Sequence, residues 1–235
     1  LELTQSLQRI AKEAGLRYPL LIAIDQENGL VQRLGEAATI FPGNMALGAI
    51  GSEEIAYQVA LATGRELQAL GINMNLAPVV DVNNNPANPV IGVRSFGEDP
   101  HLVARLGAAM VKGYSAAGIL SCLKHFPGHG DTAVDSHLAL PMIPHTLERL
   151  EALELVPFRS GIEAGAESVM IAHVAFPALA EQDNLPATLS RAIVQDLLRE
   201  ELNFHGIILS DCLEMQAISD LSLIHISEPT RQAEI

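Results

Sequence analysis

Five short apolar runs recur along the chain, each ending in a polar or charged residue, with helical patterns between them. Leu20–Ile24 runs into Asp25, Ile72–Val80 into Asp81 and Gly118–Leu123 into Lys124; Ser168–His173 ends on its own histidine, and Gly206–Ser210 runs into Asp211. Runs of this length bounded by turn signals read as buried strands. Strands alternating with helices imply a parallel sheet with right-handed crossovers. In a (β/α)8 TIM barrel all strand ends share one rim, where active sites are built. A doubly wound open sheet would gather its chemistry at one switch point, usually behind a glycine-rich loop after the first strand; no loop with that spacing is present. The expected class is therefore α/β of the (β/α)8 TIM-barrel type. Eight units take about 250 residues. About five are visible here, the chain opens in a helix-like segment, Leu3–Gly15, and it stops soon after the fifth strand. The expectation is an incomplete barrel over residues 1–220, lacking strands at both ends.

Capping signals mark the helices. Ser52 with Glu53 and Glu54 opens one that Gly71 closes. Asp99-Pro100, a cap followed by proline in the first turn, opens another that runs to about Gly118. A third spans about Thr146–Gly165, with Pro157 marking a break or a new first turn, and Ser190 caps a fourth that runs to about Asn203.

Composition narrows the function. The formal net charge is −14, which disfavours nucleic acid, whose phosphates need a basic surface. Although 49% of residues are apolar, no segment is long and uncharged enough to span a membrane. Cys122 and Cys212 read as two buried small residues, and no Cys-x-x-Cys pair suggests structural zinc. Leu221–Arg231 resembles the in-frame translation of a transposase sequencing adapter, with Gln232–Ile235 as the index behind it. Residues 221–235 are therefore expected to be a non-native tail.

The densest chemistry lies in Lys-His-Phe-Pro-Gly-His-Gly-Asp-Thr at 124–132, continuing to Asp-Ser-His at 135–137. Three histidines, two aspartates and a lysine sit in one loop after a buried strand, shaped by proline and glycine. On residue chemistry alone, Asp211 could be a carboxylate nucleophile held at a strand end, or a cap for the next helix. Asp135, Ser136 and His137 could shuttle a proton or merely bond loop backbone. His125, His129, Asp131, Asp135 and His137 include the ligand types zinc takes.

Together with Ser-Asp-Cys-Leu-Glu-Met at 210–215, this loop resembles glycoside hydrolase family 3, most closely its β-N-acetylglucosaminidase (β-N-acetylhexosaminidase) branch. Asp25-Gln26-Glu27, Val31-Gln32-Arg33, the stretch Asn75–Val82, Arg94-Ser95-Phe96 and Asp99-Pro100 extend the likeness from Leu20 to about Ile218. The resemblance implies a retaining glycosidase that removes terminal β-linked N-acetylglucosamine from cell-wall-derived or chitin-type oligosaccharides. Asp211 would be the nucleophile, with Asp135 and His137 the acid/base pair, where most glycosidases use a carboxylic acid. Asp25, Arg33, Arg94, Lys124 and His125 would bind the sugar. No cofactor and no metal are implied, and His129 would hold the loop together. The rivals are a β-glucosidase or an N-acetylglucosaminide phosphorylase on the same barrel, or a non-catalytic sugar-binding barrel. Asn28 and Leu30 depart from the family's common pattern, which often has glycine and arginine there. By strand alternation, Lys124 and His125 should share a cleft only if the strand has already ended.

Overall fold

The computed structural model describes residues 1–35, 38–133 and 139–219. Asp135, His137 and the tail from Leu221 lie outside the described residues. Five strands, β1 (Ala23–Ile24), β2 (Met74–Asn75), β3 (Cys122–Phe126), β4 (Ser168–Ile171) and β5 (Ile207–Ser210), run parallel in chain order. The two-strand and three-strand ladders meet through parallel bridges Met74–Leu120 and Val79–Lys124. This is the arc of an incomplete TIM-type barrel, and its strands are shorter than the apolar runs suggest.

The helices are α1 (Glu2–Glu13), α2 (Asn44–Ile50), α3 (Glu53–Ala69), α4 (Pro100–Ala116), α5 (Leu147–Ala152), α6 (Leu155–Glu163) and α7 (Gln216–Ser219). The Ser52 hydroxyl accepts from Ile55 N–H at 3.3 Å, and the Asp99 carboxylate accepts from His101 N–H at 2.9 Å, as their cap positions demand. The helical stretch after Thr146 breaks at Leu153–Glu154, and Pro157 falls in the first turn of α6. The Ser190 hydroxyl accepts from Ile193 N–H at 3.3 Å and opens a π-helical segment, Ala192–Glu201. Helix α2 has no counterpart among the sequence expectations. Its seven residues follow Gly43, whose backbone packs against Gly29; a Cβ on Gly29 would lie 2.6 Å from Gly43 Cα.

The strands separate two apolar layers. Leu123, Phe126, Val169 and Ile171 belong to the main core, and Phe126 meets Phe158 of α6 edge to face at 5.1 Å between centroids. Met74, Cys122 and Met170 form a second, small cluster on the inner face, backed by Leu76, Leu120 and Leu209. Cys122 is buried as expected. Cys212 is exposed, because it falls beyond the end of β5 where the chain leaves the sheet. Among the described residues no helix is long and apolar enough to cross a membrane.

Candidate active site

At the C-terminal rim of the strands lies a cleft of about 520 Å3, lined among others by Asp25, Arg33, Arg94, Lys124, His125 and Asp211. All six expected site residues that fall within the described chain meet there, although they come from positions 25 to 211.

Lys124 is the centre of one wall. In phase with Cys122 it points to the inner face, and its side chain is only 2% exposed. Its ammonium is 2.7 Å from Asp25 Oδ1 and 2.7 Å from Glu27 Oε1. Arg94 grips the same glutamate through two bonds, Nε to Oε2 at 2.9 Å and Nη2 to Oε1 at 2.8 Å. Glu27 is 3% exposed. Burial alone would raise its pKa, but the Arg94 bonds and the Lys124 charge outweigh it and hold the carboxyl down at about 2. Burial works against the Lys124 charge, yet Glu27 and Asp25 raise its pKa above the usual lysine value. Glu27 and Lys124 are thus ionised and paired with each other. Asp25 is 38% exposed and bonds Lys124 through Oδ1 alone, and the third Lys124 N–H is uncommitted among the described residues. Such groups suit the paired donor and acceptor pattern of sugar hydroxyls.

His125 follows Lys124 directly and still lines the cleft. The strand does not end between them, so the alternation argument fails. The pairing register shifts between Leu123 and Phe126, and side chains no longer alternate across this step. The fully buried Asp81 receives His125 Nδ1 at 2.7 Å, His125 N–H at 3.2 Å and His129 N–H at 2.7 Å. Burial raises the Asp81 pKa against the pull of His129 and those donors. Burial, with the Arg94 charge beside it, drives the His125 pKa well below 6.5. The ring is therefore neutral, with its proton on Nδ1 towards Asp81 and its Nε2 lone pair towards Arg94 Nη2 at 3.4 Å.

The loop beyond is built around His129. Its Nδ1 lies 2.8 Å from the Thr132 hydroxyl, and Asn88 Nδ2 donates to the carbonyls of His129 and Gly130 at 2.8 and 3.0 Å. Gly130 cannot be replaced here: a Cβ would lie 1.7 Å from Val82 O. The loop role expected for His129 matches these contacts.

Among the described residues the opposite wall is sparse. Asp211 continues the β5 ladder, its N–H donating to Ile171 O at 3.1 Å. Among the described residues its carboxylate accepts one hydrogen bond, from Cys212 N–H at 2.7 Å. Next to it His173, fully buried, reaches the Cys212 carbonyl with Nε2 at 3.0 Å and the Thr188 hydroxyl with Nδ1 at 2.7 Å. Burial lowers the His173 pKa, so it serves as a neutral strut behind the carboxylate.

The family model of the glycosyl hydrolase family 3 N terminal domain matches residues 1–233. The chain belongs to this family. It is 48% identical to β-hexosaminidase A of Pseudoalteromonas piscicida over 94% of its own length and 39% of the relative's. A β-hexosaminidase of Xylella fastidiosa is 40% identical, over 90% of this chain and 63% of the relative. The solved family 3 β-N-acetylglucosaminidase of a Paenibacillus species superposes with a TM-score of 0.91 at 57% identity, covering 93% of this chain and 41% of that one. The chain thus spans from 39% to 63% of the length of these curated relatives.

Two members of the site have a pairing role absent from the sequence expectations. Glu27 stands in the Asp25-Gln26-Glu27 stretch and Asp81 at the end of the second apolar run, but nothing local shows that each is the buried counter-charge of residues far away in the chain. The Asn28 departure also gains a reason. Asn28 has φ +70°, a conformation glycine adopts freely and asparagine tolerates. Its amide donates to Thr63 Oγ1 at 3.1 Å, which helps to hold it there.

Proposed function

We propose that the family 3 domain carries out retaining hydrolysis of terminal β-linked N-acetylglucosamine in cell-wall-derived or chitin-type oligosaccharides. Asp211 is the nucleophile, His137 the proton donor and later the base, and Asp135 the group that orients and charges the imidazole. Asp25, Arg33, Arg94, Lys124 and His125 bind sugar hydroxyls. The observation that carries this reading is the contrast across the cleft: a carboxylate that, among the described residues, holds only one backbone N–H lines the cleft opposite a wall of fixed ionic donors and acceptors. A nucleophile needs free lone pairs, and a sugar needs rigid partners that do not reorganise on binding. The names of the relatives, β-hexosaminidase and β-N-acetylglucosaminidase, support the same substrate class. Glu27 does not suit the role of proton donor, because a carboxyl held at about 2 is ionised at every working pH.

The test rests on leaving-group need. A sugar alkoxide requires protonation and a nitrophenolate hardly does. His137→Ala should lose far more rate on N-acetylglucosamine disaccharides than on nitrophenyl glycosides, and azide should restore turnover on the latter. Equal loss on both substrates without azide rescue would remove His137 from the proton transfer.

A further inference from the structure

Among side chains that do not line the cleft, three potential ligand atoms converge. Asp131, His145 and Glu154 each offer one, and all lie within 4.8 Å of one another. Asp131 Oδ2 and His145 Nε2 pair at 2.5 Å, both partly exposed. Glu154 differs: its side chain is 1% exposed, Oε2 takes a bond from Arg149 Nη1 at 2.7 Å, and Oε1 is buried with no hydrogen-bond partner among the described residues. Its stem is pressed under the loop, since a Cβ on Gly128 would lie 2.8 Å from Glu154 Cβ and Cγ. A buried carboxylate oxygen without a partner is costly, and protonating it would leave the new O–H equally alone.

We propose that Asp131, His145 and Glu154 form a divalent-cation site of the zinc class, distinct from the sugar cleft. Two carboxylate oxygens and an imidazole nitrogen are ligand types zinc takes, and mixed oxygen and nitrogen donors suit it. Arg149 on Oε2 is the kind of outer contact that leaves the other oxygen to bind an ion. Zinc bonds of about 2.1 Å put tetrahedral ligands roughly 3.4 Å apart. Binding therefore opens the Asp131–His145 pair and draws Glu154 Oε1 inward, with water completing the shell. Asp131 precedes the stretch that holds Asp135 and His137, and His145 follows it, so a bound ion ties its two ends together. The site itself does not depend on the proposed activity.

Isothermal titration of metal-stripped protein with zinc chloride tests this. One ion per chain is expected. Outer-shell changes already cost about 10–100-fold in metal affinity, so loss of a ligand in His145→Ala or Glu154→Gln should weaken binding by at least that much. Asp211→Asn should bind zinc unchanged. His145 is part-exposed and its removal leaves no buried void, so that variant remains informative if Glu154→Gln fails to fold. Cobalt should give a visible absorption band in the wild type that His145→Ala loses. Absent binding, or binding that survives His145→Ala and disappears in His137→Ala, would overturn the assignment.

Discussion

The two walls of the cleft follow opposite rules. The wall from β1 to β3 is saturated: Lys124, Glu27, Arg94, Asp81 and His125 satisfy one another through short charged bonds, almost without exposure. Among the described residues the wall at β5 carries few polar contacts: the Asp211 carboxylate is partly exposed and holds one backbone N–H. Replacing a member of the first wall strands a buried charge, so the loss falls mainly on stability. Replacing Asp211 strands no buried charge among the described residues, so under the proposed role the loss should fall on chemistry. Under the proposed function, stability and reactivity fall to different strand ends of one rim.

The sharpest way to break the comparison is the pair of substitutions that should separate the two losses. Asp211→Asn should lower kcat by roughly three orders of magnitude or more, as loss of a covalent nucleophile does, while the melting temperature stays within about 2 °C of wild type. Lys124→Met should do the reverse in emphasis. It leaves Glu27 and Asp25 without their shared cation, a loss of about 3–5 kcal/mol for a broken buried pair, which corresponds to a fall of roughly 10 °C in Tm. Thermal melts and steady-state kinetics on both variants check this; a stable Lys124→Met protein would undo the distinction.

Acid should sharpen the comparison further. Glu27 has a folded pKa of about 2 against the usual 4.5. Its contribution is whole above about pH 4.5 and is lost as pH falls towards 2, on the order of 3 kcal/mol in all. His125 is also depressed, from 6.5, by burial first and Arg94 second, and burial lowers His129 and His173 too. Their contributions are lost as pH falls below about 6.5. Denaturation midpoints should therefore drop in two windows, and Glu27→Gln should flatten only the lower one. An unchanged slope below pH 4.5 would show that Glu27 is not paired as described.

The rim was legible in the sequence because each apolar run stops at a polar residue, and a parallel sheet sends those stops to one side. Asp25, Lys124 and Asp211 could be placed that way. Glu27 and Asp81 could not be given their roles, since a buried counter-charge is defined by partners that only the closed sheet brings near. The shared orientation of Lys124 and His125 ran against strand alternation because the register slip in β3 leaves no mark in residue type. Helix α2 was hidden because it is short and set by the approach of Gly29 to Gly43 rather than by a periodic apolar face.

The smallest effect concerns the end of the chain. We propose that residues 1–220 form the catalytic barrel segment and that Leu221–Ile235 is foreign to it. Deleting that stretch should shift Tm by less than about 2 °C and leave zinc binding unchanged. A fall of several degrees would make it part of the fold.

The most direct test of the central claim is peptide mapping after inactivation with a fluorinated N-acetylglucosamine-type glycoside. Fluorine slows both steps, and an activated leaving group lets the glycosyl-enzyme form and persist. The account predicts one added sugar per chain, on the peptide carrying Asp211, and none on Asp211→Asn. An adduct on another carboxylate, with Asp211→Asn still turning over substrate, would contradict it.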